Sequence, residues 1–124
     1  MAKLIMIISG MSAGISVILG AFASHGLKNK ISPEMLSVFK TGVDYQFFHS
    51  FALALVGLSL ISQNIEQSMY LTWAFTCFSI GIIFFSGSLY LLALTKKKIF
   101  GPITPLGGLF FILGWLFFTL HWIN

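Results

Sequence analysis

Four long stretches of this chain are almost free of charged residues, and they constrain the fold more than any other feature. Their approximate bounds are residues 4–23, 45–61, 69–94 and 104–123. A helix needs about 20 apolar residues to cross a bilayer, because each residue adds about 1.5 Å. Lipid offers no partners to backbone polar groups, so each stretch should be helical. We therefore predict an all-α integral membrane protein, a four-transmembrane-helix bundle that forms a single domain over residues 1–124.

The composition supports the membrane class and argues against a nucleic-acid-binding protein. Hydrophobic residues make up 57% of the chain and charged residues 8%, whereas a soluble domain has about 25% charged residues. The net charge of +4 comes from lysines in short loops, without a basic and aromatic surface on which bases could stack. We expect the lipid bilayer, and no nucleic acid, as a partner. Cys77 is the only cysteine, which excludes an intramolecular disulfide.

The first apolar stretch partly imitates a secretory signal peptide. Lys3 precedes it, and the small residues of "AFA" stand at positions 21–23. Its apolar region is longer than the roughly 7–15 residues typical of a signal peptide. We expect it to be retained as a transmembrane helix.

The lysines predict the orientation of the four spans. Both termini and the loop near residues 62–68 share one side, and the loops near 24–44 and 95–103 share the other. Lys3 alone lies on the first side. The lysines on the second side are Lys28, Lys30, Lys40, Lys96, Lys97 and Lys98. The positive-inside rule makes these six residues topology anchors and places both termini outside. The run at 96–98 would also attract anionic head groups.

Residues 33–44 carry the signals of a short interfacial helix between helices 1 and 2. Ser32 can cap it, and Pro33 and Glu34 suit its first turn. Apolar residues then recur at every fourth position, namely Met35, Phe39 and Val43. By the same logic Thr104 caps the fourth span and Pro105 lies in its first turn.

Small residues mark the expected helix contacts. Gly10 and Gly14 form a GxxxG motif on the first helix, which we expect to pack within the bundle, with homodimerisation as the alternative. The glycines expected to serve packing on the third and fourth helices are Gly81, Gly87, Gly107, Gly108 and Gly114.

Uncommon polar residues collect toward the predicted cytoplasmic end. They are His25, Tyr45, Gln46, His49, Ser86, Ser88, Tyr90 and Thr104. Tyr45 and His49 are four residues apart and therefore share a helix face. Such a face should point into the bundle, because unsatisfied polar groups in hydrocarbon are costly. We interpret the residues as a hydrogen-bonded cluster that organises the bundle and is a candidate site for a lipid, a small molecule or a partner protein.

The chain shows no recognisable catalytic motif, and we predict a non-enzymatic protein without a cofactor. Glu34, Asp44 and Glu66 fall at or outside the predicted membrane boundary. Two alternatives stay open. His25 and His49 could ligate one haem or metal, although two histidines without cysteine or carboxylate companions form a weak signal. The second alternative is a channel or carrier, which would need an oligomer, and the two halves of the chain show no convincing internal repeat. A second copy of the chain or another membrane protein is the candidate protein partner.

Four ordered segments of the chain resemble a known family. They are "LGAFASHGLK" at 19–28, "VDYQFFHSFALAL" at 43–55, "FSGSLYLLALT" at 85–95 and "GPITPLGGLFFILGW" at 101–115. They are similar to signature segments of domain-of-unknown-function family 423, whose eukaryotic relatives include transmembrane protein 256. Ala23 and Ser24 depart from that family's usual pattern before His25. The resemblance implies a four-helix protein of the bacterial plasma membrane without an established activity. The positions matching its motifs are His25, Gly26, Tyr45, Gln46, His49, Ser86, Gly87, Ser88, Tyr90, Thr104, Pro105 and Gly108.

Overall fold

The structure is a computed structural model that describes residues 1–65 and 67–124. Its helices are α1 (Ala2–His25), α2 (Pro33–Ser62), α3 (Met69–Gly81), α4 (Gly87–Thr95) and α5 (Ile103–Ile123). A π-helical segment, Ile82–Ser86, joins α3 to α4, and a 3-10 turn, Lys98–Phe100, precedes α5. Four spans are long and apolar enough to cross a membrane, which confirms the predicted fold class. Glu66, which the sequence places outside the membrane, lies outside the described residues.

Helix α2 runs unbroken for 30 residues. Its start follows the sequence signals, because the Ser32 hydroxyl accepts a 3.2 Å hydrogen bond from the Met35 amide and Pro33 and Glu34 occupy the first turn. Residues 33–44 are helical as expected, yet they are the first three turns of α2 rather than a separate helix. No proline follows Pro33 within the helix to interrupt it. At about 1.5 Å per residue, α2 is about 45 Å long, enough to traverse the whole bilayer.

The third span, Met69–Thr95, is one helical rod with a local irregularity. The π-helical turns at 82–86 widen the helix between α3 and α4. The Gly87 amide accordingly donates to the carbonyl of Ile82, five residues back. This segment presents Phe85 to α5 and Ser86 to α2.

The start of α5 differs from the sequence prediction. The helix begins at Ile103, and no side chain caps it. The Thr104 hydroxyl instead lies 2.6 Å from the Ser88 hydroxyl of α4. The Thr104 hydroxyl, which the sequence assigned to a helix cap, therefore interacts with a side chain of a neighbouring helix.

The packing has two apolar centres. One core joins Ile5, Leu53, Phe78 and Phe111 from four different helices. The other joins Ala23, Leu27, Phe39 and Ala93. This second core lies at the end of the bundle that carries Lys28, Lys30 and Lys96–Lys98, and we call that end the lysine-rich end. Helix α1 packs along α2, whereas α5 packs against α3 and the π-helical segment.

Glycines and phenylalanines interlock between the third span and α5. A side chain at Gly107 would collide with the backbone of Phe85, and one at Gly114 would come within 2.6 Å of the Phe78 ring. In the reverse direction, Gly81 leaves room for the ring of Phe111. These close approaches determine how far α5 can rotate or slide.

Four other glycines that the sequence assigned to helix packing make no close contact. A Cβ atom placed at Gly10, Gly14 or Gly87 would have no neighbour within 4 Å. The expectation that these glycines pack within the bundle is therefore not met. Gly108 has only an ordinary contact, at 3.7 Å from Phe85. The reason for the difference on α1 is its rotation. Its buried face carries Ile5, Ser9, Ser16 and Ala23.

Candidate functional site

A hydrogen-bonded chain joins three spans through Gln46. The Tyr90 hydroxyl of α4 donates to Gln46 Oε1 at 2.7 Å. Gln46 Nε2 donates to the carbonyl oxygen of Ser12 on α1 at 3.0 Å. Both ends of one buried amide are thereby satisfied, each by a different helix, which fixes how α1 and α4 meet α2.

Serine hydroxyls extend this chain toward the middle of α1. Ser50 Oγ lies 2.7 Å from both the Ser12 hydroxyl and the carbonyl oxygen of Gln46. The Ser9 hydroxyl donates to the carbonyl oxygen of Ser50 at 2.8 Å. Residues Ser9, Ser12, Ser50, Gln46 and Tyr90 together are called the central network below. Ser9, Ser12 and Ser50 were not predicted as site residues, although the spacing of small polar residues along α1 was a usable signal.

The central network lies deeper than the sequence analysis expected. Ser12 is near the midpoint of Ala2–His25, and Gln46 is 13 residues beyond the start of α2. At about 1.5 Å per residue, Gln46 is roughly 20 Å from the lysine-rich end. The expected cluster at that end was inferred from a span that began at residue 45. Because α2 begins at Pro33, Gln46 and Ser50 belong to the middle of the bundle, whereas His25 and Thr104 lie at the ends of α1 and α5.

His49 forms a second, separate set of contacts. Its Nδ1 lies 2.8 Å from the carbonyl oxygen of Tyr45, and its Nε2 accepts a 3.4 Å hydrogen bond from the Trp115 indole N–H. The carbonyl requires a proton on Nδ1, so the contacts define the neutral Nδ1–H tautomer. The imidazole also stacks on Phe111, with 3.4 Å between ring centroids. Both ring nitrogens and one face are thus occupied by the protein itself.

The remaining predicted polar residues divide among three surroundings. Ser88 and Thr104 contact each other and link α4 to α5. Ser86 is fully buried, and its hydroxyl has no hydrogen-bond partner among the described residues. His25 is exposed at the last residue of α1. The predicted single cluster is therefore resolved into the central network, the His49 set and the Ser88–Thr104 pair.

His25 and His49 are too far apart to bind one metal ion. Ser12 of α1 contacts Ser50, the neighbour of His49. His25 is 13 residues beyond Ser12 on the same helix, which is about 20 Å along its axis. Across residues 1–65 and 67–124, no group of three histidine, cysteine, aspartate or glutamate side chains is placed to hold a metal. The geometry does not support the alternative in which these two histidines share a haem or metal.

A groove opens beside His49 on the outer surface, between α2 and α5. Its volume is about 630 Å³, and its walls include Tyr45, His49, Phe85, Gly108, Ile112 and Trp115. Tyr45 and Trp115 are 40% and 41% exposed, so both rings face the surroundings of the bundle. The Tyr45 ring stacks on Phe85 at 4.4 Å. The groove is mostly aromatic and apolar, with the His49–Trp115 pair as its polar feature.

The third histidine was not predicted as a site residue. His121 lies near the end of α5, where its Nε2 is 2.9 Å from Gln63 Nε2 and its Nδ1 is 3.2 Å from the Ser68 hydroxyl. Ser68 also caps α3. These contacts connect the end of α5 to the segments that follow α2 and precede α3.

These features define a small, four-helix integral membrane protein with an interior hydrogen-bonded network and a groove on its lipid-facing surface. The family model described as protein of unknown function DUF423 matches residues 19–108, and the chain belongs to this family. It is 46% identical over 113 residues to a UPF0382 membrane protein of Staphylococcus aureus (strain bovine RF122 / ET3-1), covering 91% of this chain and 89% of that protein.

Other bacteria have similar proteins. The UPF0382 membrane protein YwdK of Bacillus subtilis (strain 168) is 41% identical over 91% of this chain and 90% of its own length. A UPF0382 membrane protein of Haemophilus influenzae (strain Rd) is 40% identical over 85% of this chain and 82% of its own length. No solved structure matches the chain. The similarities support a bacterial membrane protein.

Proposed function

We propose that this protein is a non-enzymatic binder of a small amphipathic molecule from the bilayer, which it holds in the groove between α2 and α5. The observation that carries the proposal is the His49–Trp115 pair at the wall of that groove. An apolar pocket with a few convergent polar groups is the common form of a ligand site. The central network has the supporting role of holding α2 in position.

The polar pair indicates the chemistry of the ligand. The Trp115 N–H donates to His49 Nε2 at 3.4 Å, a long hydrogen bond that a bound ligand would have to replace. A hydroxyl or a protonated carboxyl can accept from the indole and donate to the imidazole at the same time. The aromatic walls suit an attached hydrocarbon chain. We therefore favour a single-chain amphipath such as a fatty acid or a fatty alcohol.

Binding without catalysis fits the composition of the groove. Among the described residues that line it, there is no carboxylate, thiol or second histidine. His49 already uses Nδ1 for the Tyr45 carbonyl. The proposal needs no cofactor. We also propose the bacterial plasma membrane as its location, with both termini outside, because five of the seven lysines lie at the lysine-rich end and Lys3 alone lies at the opposite end.

A fluorescence experiment tests the groove. The Trp73→Phe and Trp122→Phe substitutions leave Trp115 as the only tryptophan, and a fatty acid brominated at mid-chain serves as the quenching probe. We expect it to quench Trp115 at least twofold more strongly than a phospholipid brominated at the same depth. Equal quenching by the two probes would contradict a selective groove.

Two glycines supply matched variants for this experiment. Gly108→Leu places a side chain in the groove, and a methyl there meets Phe85 only at an ordinary 3.7 Å. Gly87→Leu adds the same side chain at an open position elsewhere on the lipid-facing surface. Gly108→Leu should abolish the preferential quenching, whereas Gly87→Leu should preserve it. Native mass spectrometry of both variants, extracted from their own membrane, then compares the molecules that they retain.

A further inference from the structure

The outward face of α2 changes from polar to apolar partway along the helix. The first turn of α2 exposes Pro33 and Glu34 at the lysine-rich end. The exposed residues that follow them are Ser37, Lys40, Thr41 and Asp44. Beyond them the exposed residues are Tyr45, Phe48, Phe51, Leu55 and Leu58. Helix α1, α3 and α4 cover other faces of α2. The four polar residues, called the polar face below, therefore have no covering helix in the described chain.

Asp44 lies near the centre of the bundle, and not at the membrane boundary that the sequence suggested. A Cβ at Gly42 would be 3.2 Å from the Ser86 carbonyl oxygen, so α2 and the antiparallel third span are level at these residues. Asp44, two residues further along, is level with about residue 84. The midpoint of Met69–Thr95 is residue 82. Asp44 is thus about 3 Å from the middle of that span. A Cβ at Gly20 would be 3.4 Å from Val43, which places Asp44 about 8 Å from the middle of α1.

Asp44 lies at a cleft on the surface of the bundle, beside the buried Ser16 and the lipid-facing Val17. Asp44 shares a small cleft with Ser16, Val17 and Gly20 of α1, and Val17 is 61% exposed. The aspartate side chain is too short to reach the head groups from mid-bilayer. An exposed carboxylate in hydrocarbon is costly, and such residues usually face a partner or an aqueous cavity.

Lys40 lies one turn from Asp44 on the same face, but the two residues do not satisfy each other. In the described part of the chain, neither the Lys40 ammonium nor the Asp44 carboxylate has a hydrogen bond or an ion pair. Within one helix, a lysine four residues before an acid is also the less favourable order. The Thr41 hydroxyl is satisfied locally, at 3.1 Å from the Ser37 carbonyl oxygen.

We infer that the polar face of α2 is the self-association surface of the protein, and that its occupant is the polar face of a second copy of this chain. A two-fold axis along the membrane normal brings each α2 residue opposite its own copy. Lys40 of one copy then reaches Asp44 of the other, one turn or about 6 Å deeper, and the same pair forms again across the axis.

Charge complementarity favours a second copy over another occupant. The face carries one cation and one anion in an order that two parallel copies can pair twice. Lipid tails could not pair with either charge. An anionic head group would pair with Lys40 but would leave the Asp44 carboxylate unpaired. The outward Gly10–Gly14 face of α1 carries no charged side chain that needs a partner. The inference is independent of ligand binding in the groove between α2 and α5.

Cysteine cross-linking in native membranes tests the surface. With Cys77→Ala as the background, Thr41→Cys places a thiol on the polar face and Gly14→Cys places one on the outward face of α1. After copper-phenanthroline oxidation, Thr41→Cys should yield a disulfide-linked dimer at least tenfold more efficiently than Gly14→Cys. Preferential cross-linking of Gly14→Cys, or a Thr41→Cys product whose mass is not that of two copies, would overturn the inference.

Charge exchange tests the pairing itself. In the Thr41→Cys background, Asp44→Asn and Asp44→Lys should each lower dimer yield at least tenfold. The double variant Lys40→Asp with Asp44→Lys should restore it, because the pair is rebuilt with reversed signs. Asp44→Asn is close in shape to the native residue and controls for a folding defect. Unchanged dimer yield in Asp44→Asn and Asp44→Lys would contradict the proposed pair.

Discussion

The Tyr90 hydroxyl donates a 2.7 Å hydrogen bond to the Gln46 side chain and thereby joins α4 to α2. Gln46 continues to the Ser12 carbonyl of α1, so one amide couples three of the four spans. The connection is made near mid-bilayer, where water cannot replace a lost partner. The stability of the bundle should depend on this amide more than on the polar residues nearer the helix ends.

Removing the amide should destabilise the fold. We expect Gln46→Leu to lower the free energy of unfolding by about 1–3 kcal/mol, because the Tyr90 hydroxyl loses its partner in an apolar interior. Thermal unfolding in detergent, followed by circular dichroism, measures the change. Tyr90→Phe removes the same contact from the other side, and the double variant should cost less than the sum of the two. Additive losses would show that the two residues do not interact.

His49 should contribute through stacking and hydrogen bonding together. His49→Ala should cost about 2–4 kcal/mol, since it opens a cavity against Phe111 and releases the Trp115 N–H. His49→Phe retains a ring for stacking and should cost about 1–2 kcal/mol. Chemical unfolding in mixed micelles gives both values. An unchanged unfolding midpoint for His49→Ala would contradict a structural role for this histidine.

The interlocking of α5 with the third span should make Gly107 intolerant of a side chain. Gly107→Ala drives a methyl into the Phe85 backbone and should cost about 1–3 kcal/mol. Gly14→Ala is the matched control, because nothing lies within 4 Å of its Cβ. The control should leave stability unchanged or raise it by up to about 1 kcal/mol, because alanine is the better helix former. Equal losses in the two variants would mean that α5 does not approach Phe85 this closely.

The buried Ser86 hydroxyl should be a liability for stability. Its oxygen has no partner among the described residues, so Ser86→Ala should raise the free energy of unfolding by about 1 kcal/mol. Ser50→Ala, which removes a hydroxyl with close partners, should lower it by a similar amount. The melting temperature of each variant, compared with that of the unchanged protein, shows whether stability rises or falls. A loss of stability in Ser86→Ala would point to a bound water at this hydroxyl.

Several features were accessible from the sequence because they depend on local composition. The four spans follow from the number of apolar residues needed to cross a bilayer. The Ser32 cap and Pro33 in the first turn predict the start of α2, and both are observed. Tyr45, Gln46, His49 and Tyr90 attracted notice because polar side chains are uncommon inside spans.

Other features required the tertiary structure. The extent of α2 was underestimated because a helix that continues past charged residues has no local marker of where the membrane begins. Thr104 was assigned to a cap, yet the Ser88 hydroxyl lies within hydrogen-bonding distance. Ser9 and Ser12 were not among the predicted site residues, because only the rotation of α1 turns them toward α2.

The sequence by itself determined the class of protein, the number of spans and the residue types available for polar contacts, since these depend on hydropathy and composition along the chain. The tertiary structure decided which polar groups pair and which face the bilayer. These pairings depend on the rotation and register of each helix, which close approaches such as Gly42 at Tyr90 and Gly107 at Phe85 determine. Those approaches bring Tyr90 to Gln46 and Trp115 to His49, while they leave His25 at a helix end and Asp44 on an uncovered face.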